Sequence, residues 1–312
     1  MTQDSNWNWY KGNIHTHTTN SDGDTAPEIV VDWYKAHQYD FLVLSDHNHR
    51  TMIDGYSDGE LLLIPGEELS VRIFGGTIPI HIGGIGITRE LEPIDAVGVV
   101  ETLQANIDLV TSSGGIASLN HPNGHWAFDH NDIHQIKDAT LLEVYNGWPG
   151  SNSNGGPGKS SGEQIWDHVL SAGQSIFGVA VDDAHHFIDF SHTKSNPGRG
   201  WIVVRATSLT EEKIIGALRS GEFYFSTGIE LEDMSLTKEN IELKILQHPY
   251  GTHSLPNDYI YNTKFIGLDG KLLSESSSLH PRYQIIGDEV YVRATITSSI
   301  GTRLWSQPVL IG

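Results

Sequence analysis

The chain of 312 residues contains no cysteine. Disulfide bonds and thiolate metal sites are therefore excluded. If the chain binds a metal ion, the ligands have to be imidazole nitrogens and carboxylate oxygens, which suit zinc, manganese and iron. The sequence is rich in both groups, with 17 histidines and 39 acidic residues.

Basic residues are also scarce. Nineteen lysines and arginines against 39 acidic residues give a formal net charge of −20. This charge opposes binding to the phosphate backbone of DNA or RNA, so we do not expect a nucleic acid polymer as a partner. A small anionic substrate remains compatible with the sequence, because bound divalent ions would invert the local field.

Long apolar runs are missing as well. No stretch approaches the roughly 20 apolar residues that a membrane-spanning helix needs. The first six residues have neither the basic region nor the apolar region of a signal peptide. We therefore expect a cytoplasmic protein that does not enter a membrane, with a removed signal peptide as the alternative.

Two histidines follow an apolar, strand-like start in the segment Asn13-Ile14-His15-Thr16-His17. Alternate residues of a strand point to the same face, so His15 and His17 project side by side. The nearby carboxylate of Asp22 adds the negative charge that a metal ion needs. The alternative is a pair of polar histidines on an edge strand, and the short motif alone leaves both interpretations open.

Further strand-like runs end in residues of the same kind. The acidic and histidine residues at these ends are Asp46 and His47 after 41–45, Glu67 and Glu68 after 61–66, His81 after 78–80, His121 after 115–120, and Asp182, Asp183 and His185 after 176–181. Parallel strands present such side chains at one edge of a sheet or barrel, where these folds have their active sites. The pattern therefore favours a shared metal site over scattered surface histidines.

The order of these motifs resembles the polymerase and histidinol phosphatase (PHP) family of metal-dependent hydrolases. The matching motifs lie between about residues 10 and 228 and read His-x-His-Thr, Ser-Asp-Gly, Ser-Asp-His, Pro-Gly-x-Glu, a strand histidine, Asn-His-Pro and Asp-x-His. Residues 9–13, 181–186 and 199–201 are most similar to the carbaryl-hydrolase-like branch. Where many relatives have serine before the last motif, this chain has Asp182, which adds a negative charge near the expected metals.

The resemblance implies two or three divalent ions of manganese, zinc or iron. Three ligand sets are implied: His15, His17, Glu68 and Asp183 for the first ion, Glu68 as a bridge with His81 and His121 for the second, and Asp22, His47 and His185 for the third. Glu68 is preferred to Glu67 because it fills the fourth position of Pro-Gly-x-Glu. A water held between two such ions loses a proton near neutral pH and becomes the nucleophile.

Other polar residues are expected to assist at the same edge. Asp183 counts as a catalytic residue as well as a ligand, and Asp46 would orient His47 or carry protons. Arg199 would bind a phosphate or carboxylate through its fork of donors. We expect Glu143 to support a ligand histidine. We expect His186 near the opening of the site, with an ordinary loop residue as the alternative for both His186 and Arg199.

Strand and helix signals alternate up to about residue 228, which predicts an α/β fold with a parallel sheet or barrel. The resemblance specifies a distorted seven-stranded (β/α) barrel. Beyond residue 228, short strands separated by turn residues predict a small antiparallel β domain of the sandwich type. We therefore divide the chain into residues 1–228 and 229–312. The Gly-rich segment 147–162 predicts a flexible loop, either a lid or a disordered linker.

Together these features predict a metal-dependent hydrolase that acts on a small molecule. Phosphoester hydrolysis is the leading reaction, because the resembling family consists mostly of phosphatases. Hydrolysis of a carboxyl ester or carbamate at the same metals is one alternative. The other is a catalytically silent metal-binding protein whose β domain docks a glycan or another protein.

Overall fold

The computed structural model describes residues 7–53, 59–247 and 259–311. Residues 1–6, on which the expectation about a signal peptide rests, lie outside this part of the chain. The five α-helices of the described residues are α1 (Pro27–Ala36), α2 (Val99–Ser112), α3 (His130–Ile133), α4 (Gly162–Ser171) and α5 (Glu211–Ser220). The strands of the first two thirds are β1 (Asn8–Asn13), β2 (Phe41–Val43), β3 (Leu62–Ile64), β4 (Gly66–Ile73), β5 (Ile78–Ile85), β6 (Ile116–Leu119), β7 (Leu141–Asn146), β8 (Phe177–Val181), β9 (Trp201–Ala206) and β10 (Phe223–Ser226). They are followed by β11 (Leu231–Leu236), β12 (Asn240–Ile245), β13 (Tyr261–Gly267), β14 (Lys271–Ser276), β15 (Arg282–Gln284), β16 (Tyr291–Ser298), β17 (Arg303–Ser306) and β18 (Val309–Leu310).

Local sequence signals explain where several helices begin and end. Helix α1 begins at Pro27, whose missing N–H would have no partner in the first turn anyway. Helix α4 is preceded by a capping box, in which the Ser161 hydroxyl accepts from the Gln164 N–H and the Gln164 side chain accepts from the Ser161 N–H. Helix α5 ends at Ser220 and is followed by Gly221, which adopts the left-handed conformation that favours glycine. None of the helices in the described ranges is long and apolar enough to span a membrane.

The strands that were expected to form one barrel fall into two sheets. One sheet contains β10, β9, β1, β2 and β3 side by side, and the other has the order β4-β5-β6-β7-β8. Isolated β-bridges between Thr16 and Ala184 and between His47 and Glu68 join the two sheets at the strand ends. The α/β class is confirmed, and the distorted seven-stranded barrel stays a prediction.

The direction of strand β5 departs from the predicted parallel order. Strand β5 is antiparallel to both β4 and β6, whereas β6, β7 and β8 are parallel. Only residues 74–77 separate β4 from β5, and a parallel pair would need a crossover of about a dozen residues or more. The chain therefore turns back as a hairpin, and the expected all-parallel order is broken.

The C-terminal strands continue a sheet of the N-terminal part. Strand β10 pairs with β17, so one ten-stranded sheet extends from β3 to β14 across the predicted boundary at residue 228. The rings of Phe225 and Trp305 stack across this boundary with centroids 5.0 Å apart. All described strand pairs beyond residue 228 are antiparallel, as the turn-rich pattern predicted. The division into two domains stays a prediction.

Candidate metal centre

The side chains predicted as metal ligands come together where the strands of the two sheets end. Seven of them line a cavity of about 270 Å³: Asp22, His47, Glu68, His81, His121, Asp183 and His185. His15 and His17 are fully buried beneath it. All nine fall into four overlapping groups whose ligand atoms lie close enough to hold an ion: His17 with Asp22, His47 and His185; His15 with His17 and Asp183; His15 with Glu68 and His121; and His47 with Glu68 and His81.

Backbone contacts between the ends of β1 and β8 place His15, His17 and Asp183 beside one another. The Asp183 N–H donates to the His15 carbonyl, and the His17 N–H donates to the Ala184 carbonyl, both at 2.9 Å. Asp183 and His121 have positive φ angles of 49° and 26°, a region that residues other than glycine rarely adopt. Such backbone strain is concentrated at functional sites, where the surrounding structure maintains it.

Glu68 lies at the centre of the cluster and is fully buried. Its Oε1 atom lies 3.3 Å from His15 Nε2 and 3.2 Å from both His81 Nδ1 and His121 Nε2. The Asn120 side chain also donates to Oε1 at 2.9 Å. Its Oε2 atom lies 2.9 Å from His47 Nδ1 but makes no hydrogen bond within the described residues. One carboxylate therefore faces more nitrogen atoms than its lone pairs can satisfy by hydrogen bonding.

His15, His17 and Asp183 form a second close contact. The Nε2 atoms of the two imidazoles face each other at 3.1 Å, and Asp183 Oδ1 lies 3.2 Å and 3.3 Å from them. Asp22 is further out. Its carboxylate lies 3.2 Å from His185 Nε2 and 3.6 Å from His47 Nε2.

This arrangement fits metal ions. Ligand atoms about 2.0–2.1 Å from one tetrahedral zinc ion are about 3.3 Å apart, close to the contact distances around Glu68 and Asp183. An ion would also occupy the lone pairs of imidazole nitrogens that otherwise face one another. The donor set of imidazoles and carboxylates suits zinc, manganese or iron.

Side chains behind the cluster hold the imidazoles in place. Glu143 accepts from His15 Nδ1 at 2.6 Å, as expected, and also from the backbone N–H of His121 at 2.7 Å. The Asn146 amide donates to Glu143 at 2.8 Å and to Asp183 at 3.1 Å. A carboxylate on the remote nitrogen selects the tautomer that leaves Nε2 free to bind an ion. Sequence reasoning missed Asn120 and also missed Ser70, whose Oγ lies 2.7 Å from His47 Nδ1.

The charges of the cluster depend strongly on one another. Burial would raise the pKa values of Glu68 and Asp183, but the surrounding imidazoles outweigh burial and hold both well below the usual range. Burial would lower the pKa of His47, but Glu68 and Asp22 outweigh burial and raise it to about 10. Burial and the neighbouring His185 lower the pKa of His17 to about 4. Without metal, the cluster therefore holds protons on some imidazoles at neutral pH.

We expect metal affinity to rise with pH, because an ion has to displace these protons. A raised imidazole pKa means that the proton competes at every pH below that pKa, so the competition weakens as pH increases. The apparent affinity of the metal-free protein for Mn²⁺ should rise by roughly tenfold per pH unit for each proton displaced between pH 6 and 8. Calorimetric titration in buffers of different ionisation enthalpy measures both the affinity and the protons released. A constant affinity with no proton release would contradict the assignment of these imidazoles as metal ligands.

Within the described residues, the Asp46 carboxylate makes no hydrogen bond to the ring of His47. Its buried carboxylate accepts from the Thr18 N–H at 2.7 Å, the Thr18 hydroxyl at 2.8 Å, the Ser21 hydroxyl at 2.7 Å and the Thr51 hydroxyl at 2.5 Å. These contacts order the turn that leads to Asp22. The expected role of orienting His47 is therefore not supported, and Ser70 occupies that position instead.

Arg199 differs from expectation, and Asp182 binds neighbouring loops. The Asp182 carboxylate accepts from the Tyr34 hydroxyl at 2.9 Å and from the N–H groups of Arg199 and Gly200 at 2.6 Å and 3.0 Å, and it does not line the cavity. The Arg199 guanidinium donates to the carbonyls of Gly147 and Ser191 at 2.9 Å and 2.7 Å. Both side chains hold loops together, and the structure does not place Arg199 among the residues that line the cavity.

The wall of the cavity includes residues from the Gly-rich segment and from the loop after β8. Trp148 and His186 line it, and the Trp148 ring lies 5.8 Å from the ring of His121. The segment 147–162 is anchored rather than detached, since the Asn123 side chain donates to the carbonyls of Asn152 and Ser160. Arg72, which the sequence analysis did not single out, also lines the cavity.

Comparison with solved structures finds the same architecture elsewhere. A two-domain protein from Bacteroides vulgatus that contains a predicted PHP-like metal-dependent phosphoesterase superimposes with a TM-score of 0.53 at 15% identity, over 98% of this chain and 89% of that chain. The chain has a PHP-like fold. A sulfate-bound, metal-free amidohydrolase from Chromobacterium violaceum is less similar, with a TM-score of 0.40 at 16% identity over 56% of this chain and 87% of that chain. No family model and no curated protein sequence matches the chain.

The PHP-like fold agrees with the resemblance inferred from the motifs, and both halves of the chain are included in the superposition. At this level of identity the comparison establishes the fold alone. The similarity to the carbaryl-hydrolase-like branch stays a prediction.

Proposed function

We propose that this PHP-like protein is a metal-dependent hydrolase and that its preferred substrates are small phosphoesters. The observation that carries the proposal is the convergence of His15, His81 and His121 on one buried oxygen of Glu68, all within 3.3 Å. Such a buried carboxylate surrounded by imidazoles is suited to bridging two ions.

The proposed ligand sets follow the geometry of the cluster. His15, His17 and Asp183 would hold one ion with Glu68, and His81 and His121 would hold a second with the same carboxylate. Asp22, His47 and His185 would hold a third nearer to the opening of the cavity. Bound divalent ions would supply a water-derived nucleophile near neutral pH and positive charge for the group under attack.

Four further residues would position the ligands or transfer a proton. Glu143 fixes the His15 ring through the contact at Nδ1, and Asn146 links Glu143 to Asp183. Asp46 holds the turn before Asp22, so we assign it a positioning role. His186 lines the cavity, and we assign it delivery of a proton to the leaving group.

A carboxyl ester or carbamate is the second candidate substrate class. The observation in its favour is the scarcity of permanent positive charge, since Arg72 is the one arginine or lysine among the described residues that line the cavity. Such esters carry less negative charge than phosphoesters and need fewer cationic groups. The third candidate function is that of a catalytically silent metal-binding protein.

A metal and substrate screen distinguishes these candidates. Protein stripped with a chelator and reloaded with Mn²⁺, Zn²⁺ or Fe²⁺ should contain two or three ions per chain by elemental analysis. It should hydrolyse phenyl phosphate, and the chelator should abolish this activity until metal is restored. Hydrolysis of phenyl acetate or a phenyl carbamate without any phosphoester turnover would favour the second candidate. Bound metal with no turnover of any ester would favour the silent protein, and background metal alone would contradict all three.

A further inference from the structure

Arg72 lies on the same strand face as the centre of the metal cluster. Side chains at alternate positions of a strand point to the same side, so Glu68, Ser70 and Arg72 of β4 share one face. Glu68 contacts the imidazoles, Ser70 contacts His47, and Arg72 lines the cavity. The face therefore leads from the bottom of the site to its rim.

The guanidinium of Arg72 is available to a ligand. The residue is exposed, and within the part of the chain that the structure describes its guanidinium makes no hydrogen bond or ion pair. The other described side chains with acid or base character in the cavity wall are carboxylates and imidazoles. Arg72 thus contributes five free N–H donors and the one permanent positive charge of this described wall.

The position of Arg72 separates it from the group that would be hydrolysed. Strands rise about 3.3 Å per residue, so the backbones of Arg72 and Glu68 are about 13 Å apart along β4. The reacting group belongs beside Glu68, where the ions would already supply positive charge. Arg72 is therefore placed to meet a different part of the same molecule.

We propose that the substrate carries a second anionic group, a carboxylate or a phosphate, and that Arg72 binds it. The inference rests on the proposed function, because it takes the metal cluster as the place where the ester reacts. The fork of donors matches the two oxygens of either anion. Arg72 is then a specificity residue that selects doubly anionic esters over singly anionic ones.

Matched substrates test this selection. Phenyl phosphate carries only the reacting group, 4-carboxyphenyl phosphate adds a carboxylate, and 1,4-phenylene bisphosphate adds a phosphate. Arg72→Gln should raise KM for one or both of the doubly anionic esters by about 10- to 100-fold, with little change in kcat. Phenyl phosphate should change by less than about threefold, and Arg72→Lys should retain part of the preference. Arg89→Gln, an exposed arginine that is not part of the cavity wall, is the control for the change in net charge.

A binding measurement separates this inference from the proposed reaction. In calorimetry on metal-loaded protein, 4-carboxyphenylphosphonate should bind at least about tenfold more tightly than phenylphosphonate, and Arg72→Gln should remove the difference. If this holds while no phosphoester is hydrolysed, the proposed reaction fails and the role of Arg72 stands. Equal affinities of the two phosphonates, no binding of either, or an equal loss in Arg72→Gln on all three esters would overturn the role of Arg72.

Discussion

Replacing Glu68 with glutamine should lower turnover by at least about 100-fold, the scale on which a single strong electrostatic group acts in an active site. The substitution keeps the shape of the side chain and removes the negative charge that His15, His81 and His121 face. An amide is a poor bridge between two ions, so we also expect the loss of at least one ion per chain. Steady-state kinetics on the ester found in the screen and elemental analysis of the same sample measure the two effects.

The neighbouring Glu67 provides a matched control. It is equally buried but points to the other side of β4, where its Oε1 accepts from the Leu91 N–H at 2.8 Å. Burial raises the pKa of Glu67 to about 7, so glutamine resembles the protonated form that this residue already adopts in part. Glu67→Gln should therefore retain metal and activity. Full activity in Glu68→Gln, or an equal loss in both variants, would rule out Glu68 as the bridge.

Replacing Arg293 with methionine should reduce the free energy of unfolding by about 3–5 kcal/mol, the usual cost of breaking a buried ion pair on one side. Arg293 is fully buried and donates to both oxygens of Asp167 at 2.7 Å and to Glu163 at 2.9 Å. Methionine fills much of the volume but leaves the buried Asp167 carboxylate without its cation. Urea unfolding followed by circular dichroism measures the change.

Two further variants show whether the charge causes this loss. Adding Asp167→Asn to Arg293→Met removes the unpaired carboxylate and should restore part of the stability. Arg282→Ala breaks an exposed pair with Glu242, 3.0 Å apart, and should cost no more than about 1 kcal/mol. A loss in Arg293→Met as small as that in Arg282→Ala would contradict the importance of the buried contact.

The Arg293 contact also relates the C-terminal strands to the site. It joins β16 to helix α4, which begins at the end of the Gly-rich segment 147–162. Trp148 of this segment lines the cavity. Arg303 of β17 donates to the side chain of Asn154 in that segment at 2.9 Å. The C-terminal strands therefore contact helix α4 and the loop that contributes Trp148 to the cavity wall, although they contribute none of the proposed ligands.

Much of the site could be predicted from the sequence because its signals are local. An apolar strand followed directly by a histidine or an acid places that side chain at a strand end, and alternation places His15 and His17 on one face. The preference for Glu68 over Glu67 agrees with the contacts in the structure, since only Glu68 faces the imidazoles. The α/β class followed from the alternation of strand and helix signals.

Other features depended on long-range geometry. The Phe74–Thr77 hairpin set the direction of β5, and the pairing of β10 with β17 joined parts of the chain that are about 80 residues apart. Arg199 and Asp182 stand beside the motifs in sequence, yet their side chains are used to tie loops together. Arg72 carries no motif, although the period of two from Glu68 would have identified its face.

The sequence by itself determined which kinds of ligand could meet and in what order along the chain, because the residue types and the strand period are local properties. Only the tertiary structure decided which charged side chains face the cavity and which are used by neighbouring loops. Side-chain direction at loop positions follows from backbone angles such as the positive φ of Asp183 and His121, which packing between distant strands maintains. No local pattern encodes those angles. The structure was therefore needed to show that Arg72, and not Arg199, lines the cavity and that Asp46 binds the turn before Asp22.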